Sequence, residues 1–313
     1  MARRARPLRA DRRILLLGVG GLMLAACSRE VMSAEADLDA DIDAEDGPLD
    51  LDLSDLEARH GGRLGLAIAS AGANAAWRGD ERFVYCSTFK MYLAAATLLR
   101  VQAGDERLDR AIPITAADMI SHAPTTEPAV GSTLTVEQLM KATVELSDNP
   151  AANILIREMG GLDALRAFYR GIGDDSTRVD RLEPEMNRAD GDKDTITPIQ
   201  SVQNISRLLV YPETPLNAAS KALLMRWMTA TPTGQGRIKA GVPTGWVVAH
   251  KTGSGGYGPT NDIGLIQPPQ DVKSGAPIVI AVYFHATRES TDAQREAVIA
   301  EATRRALKAL GHG

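Results

Sequence analysis

At 313 residues, 44% of them hydrophobic and 24% charged, the chain has the make-up of an ordinary globular protein and the length for one large domain or two interleaved ones. Its net charge of −5 argues against a nucleic-acid partner, and two cysteines are too few for a disulfide scaffold. His60, His122, His250, His285 and His312 show no His-Glu-x-x-His or other tight ligand spacing, so neither a metal nor another cofactor is expected.

In chain order, Arg3, Arg4, Arg6, Arg9, Arg12 and Arg13 precede an apolar run from Ile14 to Ala26. This predicts an export signal over residues 1–26, too short to span a bilayer comfortably. It ends in Leu24-Ala25-Ala26-Cys27, which resembles the bacterial lipobox, where the cysteine is lipidated and becomes the mature N-terminus. A plain signal peptide with a chance cysteine is the alternative, and Asp11-Arg12-Arg13 also looks like a twin-arginine signal, so the export route stays open. Removing residues 1–26 takes away six Arg and one Asp, moving the net charge from −5 to about −10. From Glu30 to Asp55 the chain is acidic with few large apolar residues, which predicts a solvated tether, placed at residues 27–50, between a membrane and the folded part. The expected location is the periplasmic side of a membrane, anchored through Cys27, with a soluble periplasmic or secreted protein as the alternative. With Cys27 lipidated, Cys86 should be a free, buried packing thiol. No association surface is evident, so a monomer is expected.

Leu64, Leu66 and Ile68 alternate in a half-buried strand from Arg63 to Ser70, and Ala75 to Trp77 can return as its hairpin partner. Helical spacing then dominates: Phe89 to Val101, Val136 to Leu146, Pro150 to Met159, Leu162 to Arg170, Pro198 to Val210 and Ala218 to Met228. Trp246 to His250, Ile263 to Ile266 and Pro277 to Phe284 are further strands, the last apolar throughout as a central strand should be, and a helix from Thr291 to Leu310 closes the chain. The early and late strands can share one sheet with the helical segment inserted between them.

Four motifs stand in order on this framework. In Ser87-Thr88-Phe89-Lys90 a helix start puts a hydroxyl and an amine one turn apart on one face. A serine is a poor nucleophile unless a neighbour takes its proton; a neutral Lys90 could do so, and a charged one could stabilise the alkoxide. Ser-x-x-Lys by itself is weak, since roughly one match is expected by chance in a chain this long. In Ser147-Asp148-Asn149, Ser147 and Asn149 can project to one side; taken alone, the triplet reads as a helix-start signal before Pro150. Arg181-Leu182-Glu183-Pro184-Glu185-Met186-Asn187 supplies a further carboxylate, and Lys251-Thr252-Gly253 follows a strand, with two groups for a substrate carboxylate and a glycine for close backbone approach.

The ordered set resembles the class A serine β-lactamases over about residues 50–310. That family implies an α/β (α+β) fold: a five-stranded antiparallel sheet with flanking helices packed against an all-helical domain. Here residues 51–85 and 232–313 would form the first domain and 86–231 the second. It implies hydrolysis of penicillins and cephalosporins through an acyl-enzyme on Ser87, with Lys90, Ser147 and Glu183 as the other catalytic residues. Asn149, Asn187, Lys251, Thr252, Gly253 and Ser254 would bind substrate, and the backbone amides of Ser87 and Ser254 would form an oxyanion hole. Arg181 and Asp194 resemble the ion pair closing an Ω-loop, and Glu183-Pro184 is implied to be cis. A D,D-peptidase shares the serine, Ser-x-Asn and Lys-Thr-Gly elements, but Glu183, which can activate water against the ester, and Asn187 argue against it; a β-lactam-sensing domain would need a stable acyl state and usually a transmembrane signalling partner, and the sequence offers no second apolar span for one.

The departures are specific. His250 stands where the family commonly has Asp, His122 where it has an aromatic gatekeeper, and the loop between Asn187 and Asp194 is about two residues short. Thr260 occupies a position where many members place an arginine; Arg237 resembles an alternative donor for the substrate carboxylate, with Arg295 as its rival. Lys251 to Gly258 resembles extended-spectrum cephalosporin-hydrolysing members, and the cysteine pair of class A carbapenemases is incomplete, since only Cys86 is present.

Overall fold

The computed structural model describes residues 49–312 apart from Tyr257, 270–274 and Arg288. The expected export signal, Cys27 and the tether up to residue 48 therefore lie outside the described residues.

Five strands make one antiparallel sheet: β1 (Arg63–Ser70), β2 (Ala73–Trp77), β3 (Val247–Ser254), β4 (Pro259–Gln267) and β5 (Ile278–His285), in spatial order β2-β1-β5-β4-β3. The two ends of the chain meet where Leu66 lies opposite Val282 and Ile68 opposite Ile280. Central β5 is buried on both faces, which is why its sequence does not alternate. Nine helices accompany the sheet among the described residues: α1 (Ser54–His60), α2 (Phe89–Ala103), α3 (Val136–Glu145), α4 (Asn149–Met159), α5 (Leu162–Gly171), α6 (Pro198–Ile205), α7 (Ala218–Ala230), the one-turn α8 (Ile238–Gly241) and α9 (Asp292–Ala309).

Leu64, Leu66 and Ile68 of β1 face Leu53, Leu56, Val298, Ile299 and Ala302 of the α1 and α9 layer. The opposite face, through Ala67, Ala281 and Tyr283, joins the larger core built around α2. That helix is buried continuously from Phe89 to Leu98, so its N-terminal turn is held between sheet and helices. At the start of α4 the Asp148 carboxylate accepts from Ala151 N at 2.9 Å, Pro150 occupies the first turn, and Gly160 at φ 112° stops the helix.

Two expectations change. Lys251-Thr252-Gly253 does not follow a strand but lies on it: β3 runs on to Ser254, with Lys251 opposite Ile263 and Thr252 opposite Asp262. Apolar alternation stops at Ala249 while the backbone ladder to β4 continues, so the strand end carries no hydrophobic signature. The acidic run also ends earlier than Asp55, because Ser54 and Asp55 open α1, whose Leu56 is fully buried and whose Asp55 pairs with Arg305 at 2.5 Å.

Candidate active site

A 3-10 turn, Cys86–Thr88, leads into α2 and presents Ser87, with Lys90 one turn on. Ser87 Oγ accepts from Lys90 Nζ at 3.0 Å and donates to Glu183 Oε1 at 3.2 Å. Lys90 Nζ lies 3.0 Å from Glu183 Oε1, and neither side chain is exposed. It further donates to Ser147 O at 2.7 Å and Asn149 Oδ1 at 2.5 Å, with Ser147 Oγ at 3.3 Å. Burial lowers the Lys90 pKa and the Glu183 charge opposes that shift. Ser87 Oγ, Glu183, Ser147 O and Asn149 Oδ1 make four acceptors around Nζ, a surround that suits the three donors of an ammonium group better than the two of a neutral amine.

Ser147, at φ 59°, sits in the link between α3 and α4, which turns it and Asn149 toward Lys90 and sends Asp148 the other way. Asp148 is buried, accepting from Thr125 N at 2.9 Å, Thr126 N at 3.0 Å and Thr126 Oγ1 at 2.8 Å. It caps the helix start as a lone reading of the triplet would have it, while its neighbours face the cleft. Lys251 Nζ approaches Ser147 Oγ to 3.2 Å from the other side, so that hydroxyl stands between two lysines. Burial first, and the Lys90 charge second, push the Lys251 pKa well below its ordinary 10.5.

Glu183 arrives on a loop clasped at its ends. Arg181 Nε donates to Asp194 Oδ2 at 2.5 Å, and buried Asp194 also accepts from Asp180 N at 2.8 Å and Tyr85 OH at 3.3 Å. The Glu183–Pro184 peptide is cis. Asn187 Nδ2 donates to Glu183 Oε2. One participant was not picked out from the sequence: Asn153 of α4 donates Nδ2 to Glu183 O at 2.9 Å and accepts from Glu183 N at 3.0 Å. Its signal was there, a lone amide among apolar residues four positions after Asn149 and so on the same helix face.

Along β3, a Cβ on Gly253 would stand 2.7 Å from Tyr85 O and 3.1 Å from Ser87 N, so only glycine lets the strand run against the serine's turn. A Cβ on Gly255 would stand 2.2 Å from Asn187 O, so the strand end and the Glu183 loop are in equally close contact. Beside that contact a hollow of about 180 Å³ opens between Pro184, Glu185, Asn187, Arg188 and Gly256. Thr252 Oγ1 pairs with Thr233 Oγ1 at 2.8 Å.

Arg237 is only 8% exposed. It donates Nε to Glu296 at 3.1 Å, Nη1 to Gly253 O at 3.2 Å and Asn261 O at 2.9 Å, and Nη2 to Ser254 Oγ at 2.9 Å. Arg295 instead donates to Thr260 Oγ1 at 3.0 Å, to Ser290 and to Asp292, all groups around the start of α9. His122 Nε2 donates to Leu146 O at 2.9 Å, which ties its ring to the end of α3. Cys86 is buried and in no disulfide, its Sγ donates to Asn187 O at 3.9 Å, and burial pushes its thiol pKa up, so it packs and stays protonated. No group of three or more His, Cys, Asp or Glu suited to a metal occurs among the described residues.

Residues 48–310 match the β-lactamase enzyme family. β-Lactamase CTX-M-8 of Citrobacter amalonaticus is 40% identical over 254 residues, covering 80% of this chain and 85% of that protein. OXY-2 of Klebsiella oxytoca is 39% identical, covering 80% and 86%. Among solved structures, an ancestral (GNCA) class A β-lactamase is 47% identical with a TM-score of 0.76, covering 82% of this chain and 98% of that one. The chain belongs to the class A β-lactamase family. It is a β-lactam hydrolase, and its five-stranded antiparallel sheet with flanking helices is that family's fold. A β-lactamase from Xanthomonas campestris pv. campestris superposes equally well, with 39% identity and a TM-score of 0.78 over 82% of this chain and 96% of that one.

Chemically, this β-lactamase offers a hydroxyl held between a cation and a carboxylate, a second hydroxyl between two cations, and a strand edge rich in donors for an anion. Such a set can transfer an acyl group and then hydrolyse the ester.

Proposed function

We propose that the enzyme opens penicillins and cephalosporins through an acyl-enzyme on Ser87, with Glu183 as base in both half-reactions. The observation that carries this is the position of Ser87 Oγ, which accepts from Lys90 and donates to Glu183. Lys90 as an ammonium has no lone pair to receive a proton, so the hydroxyl's proton goes to Glu183 while Lys90 stabilises the alkoxide. As Oγ bonds to the lactam carbonyl carbon, the backbone amides of Ser87 and Ser254 receive the oxyanion. When the C–N bond breaks, Ser147 gives its proton to the nitrogen and is replenished from Lys90, which in turn takes the proton held by Glu183; the 3.3 Å and 3.0 Å separations support that relay. Glu183 then removes a proton from a water oriented with Asn187, the resulting hydroxide attacks the ester, and Oγ leaves with that proton. Asn149 offers its amide to the substrate's side-chain amide. Lys251, Thr252, Ser254 and Arg237 bind the substrate carboxylate, a choice over Arg295 supported by the Arg237 bond to Ser254.

Glu183→Ala tests the scheme. It should retain less than about 1% of wild-type turnover of nitrocefin, general-base loss being typically 10²–10⁴-fold, and a penicillin adduct should persist on Ser87 in intact-mass spectra. Near-full turnover by that variant would remove Glu183 from the mechanism. For location, we read residues 1–26 as a cleaved export signal and Cys27 as the lipidated N-terminus, on the strength of Leu24-Ala25-Ala26-Cys27. No helix among the described residues is long and apolar enough to cross a membrane.

A further inference from the structure

Beneath the substrate-facing end of β3 lies a polar pair that this chemistry does not use. His250 and Asp262 are both fully buried, and His250 Nδ1 is 2.9 Å from each Asp262 oxygen. A carboxylate only accepts, so Nδ1 carries the proton and donates it. Nε2 is buried without a hydrogen-bond partner, so a proton placed there would be a buried donor with no acceptor. Asp262 Oδ2 makes one more contact, accepting from Ile238 N at 3.2 Å. Ile238 follows Arg237 directly and opens α8.

Arg237 has five N–H donors, and its four contacts to Glu296, Gly253, Asn261 and Ser254 leave one, on Nη2, at the Ser254 side. We propose that His250 is a positioning residue for carboxylate recognition: it orients Asp262, Asp262 holds the backbone at Ile238, and the guanidinium of Arg237 is thereby aimed past Ser254 at the substrate. The proposal rests on the assignment of Arg237 as a carboxylate ligand. The imidazole is suited to this where a second carboxylate is not. An Asp facing Asp262 would force the two acids to share a proton, and Asp262 would cease to be a pure acceptor for Ile238. The imidazole supplies a donor and leaves both oxygens as acceptors.

The test is a double-mutant cycle between His250 and Arg237, read as KM for a penicillin and as the deacylation rate. His250→Leu should raise KM about tenfold, the size of one charge-assisted hydrogen bond, and leave the deacylation rate within about twofold. His250→Asn, which keeps a donor near the Nδ1 position, should restore most of the affinity. In an Arg237→Ala background neither substitution should raise KM further. Nitrogen-15 NMR of the wild-type enzyme should find one histidine with its proton on Nδ1. Additive effects of His250 and Arg237, or a proton on Nε2 instead, would overturn the role of His250 while leaving Arg237 in place. An Arg237→Ala enzyme with unchanged KM would remove the arginine assignment, and the positioning role with it. Should His250→Leu fail to fold, His250→Asn in the two backgrounds and the NMR signature decide the matter.

Discussion

Asn153→Ala asks whether the enzyme's hydrolytic half-reaction depends on how Glu183 is carried. Asn153 makes two bonds, one to each side of the Glu183 backbone, at 2.9 and 3.0 Å. Removing its amide leaves one backbone N–H and one C=O to find water. A buried polar group left unpaired costs about 1–3 kcal/mol. Asn153 is half-buried, so the lower end applies, about 2 kcal/mol for the two groups together. Arg181–Asp194 and Asn187 still hold the loop, so it stays closed while its carboxylate wanders. At ~1.4 kcal/mol per tenfold, that loss slows deacylation by roughly thirtyfold if the loop recovers none of it. Acylation should slow less, because Ser87 keeps its contact with Lys90. In stopped-flow experiments with a penicillin, a fast burst should therefore precede slow turnover, and quenched samples should contain the acyl-enzyme. A variant that melts a few degrees lower yet deacylates within twofold of wild type would refute the reasoning: Asn153 would then stabilise the fold and have no part in setting Glu183.

Lys251, whose burial and proximity to Lys90 pull its pKa well below 10.5, binds fewer protons folded than unfolded across that interval. Its contribution to stability consequently rises with pH through the window, while the cation available to the substrate carboxylate is lost over the same window. kcat/KM for penicillins should fall on the alkaline side below pH 10.5, mainly through KM, and Lys251→Arg should abolish that limb; an identical limb in the variant would assign it elsewhere. Cys27→Ser should move activity from the membrane to the soluble fraction. A wild-type enzyme that is already soluble and begins at another residue would show the lipobox reading to be mistaken.

Much of the site is legible in the sequence because its chemistry fixes residue types at short local spacing: three positions from Ser87 to Lys90, two from Ser147 to Asn149, four from Glu183 to Asn187. Local spacing survives folding, since one helical turn or one loop keeps such neighbours together. The contacts that escaped the sequence join elements far apart in the chain. Asn153 reaches Glu183 across 30 positions and Arg237 reaches Glu296 across 59. An isolated Asn or Glu on a helix has the same local pattern whether it touches a catalytic loop or water.

The end of β3 fails to announce itself for a related reason. Periodicity detects a strand through what it buries, and Lys251 and Thr252 are polar although they are buried. Their burial is tolerated because Lys251 donates to Thr252 O at 2.9 Å and to Ser147 Oγ, and Thr252 has Thr233. The register with β4 then brings Asp262 opposite Thr252, diagonal to His250. A polar strand end held in this way needs partners from three other segments at once, so its stability is a property of the assembled site. That dependence is also why a histidine, visible in the sequence only as a departure from the family's common Asp, gains a directional role only when Asp262 and Ile238 are seen beside it.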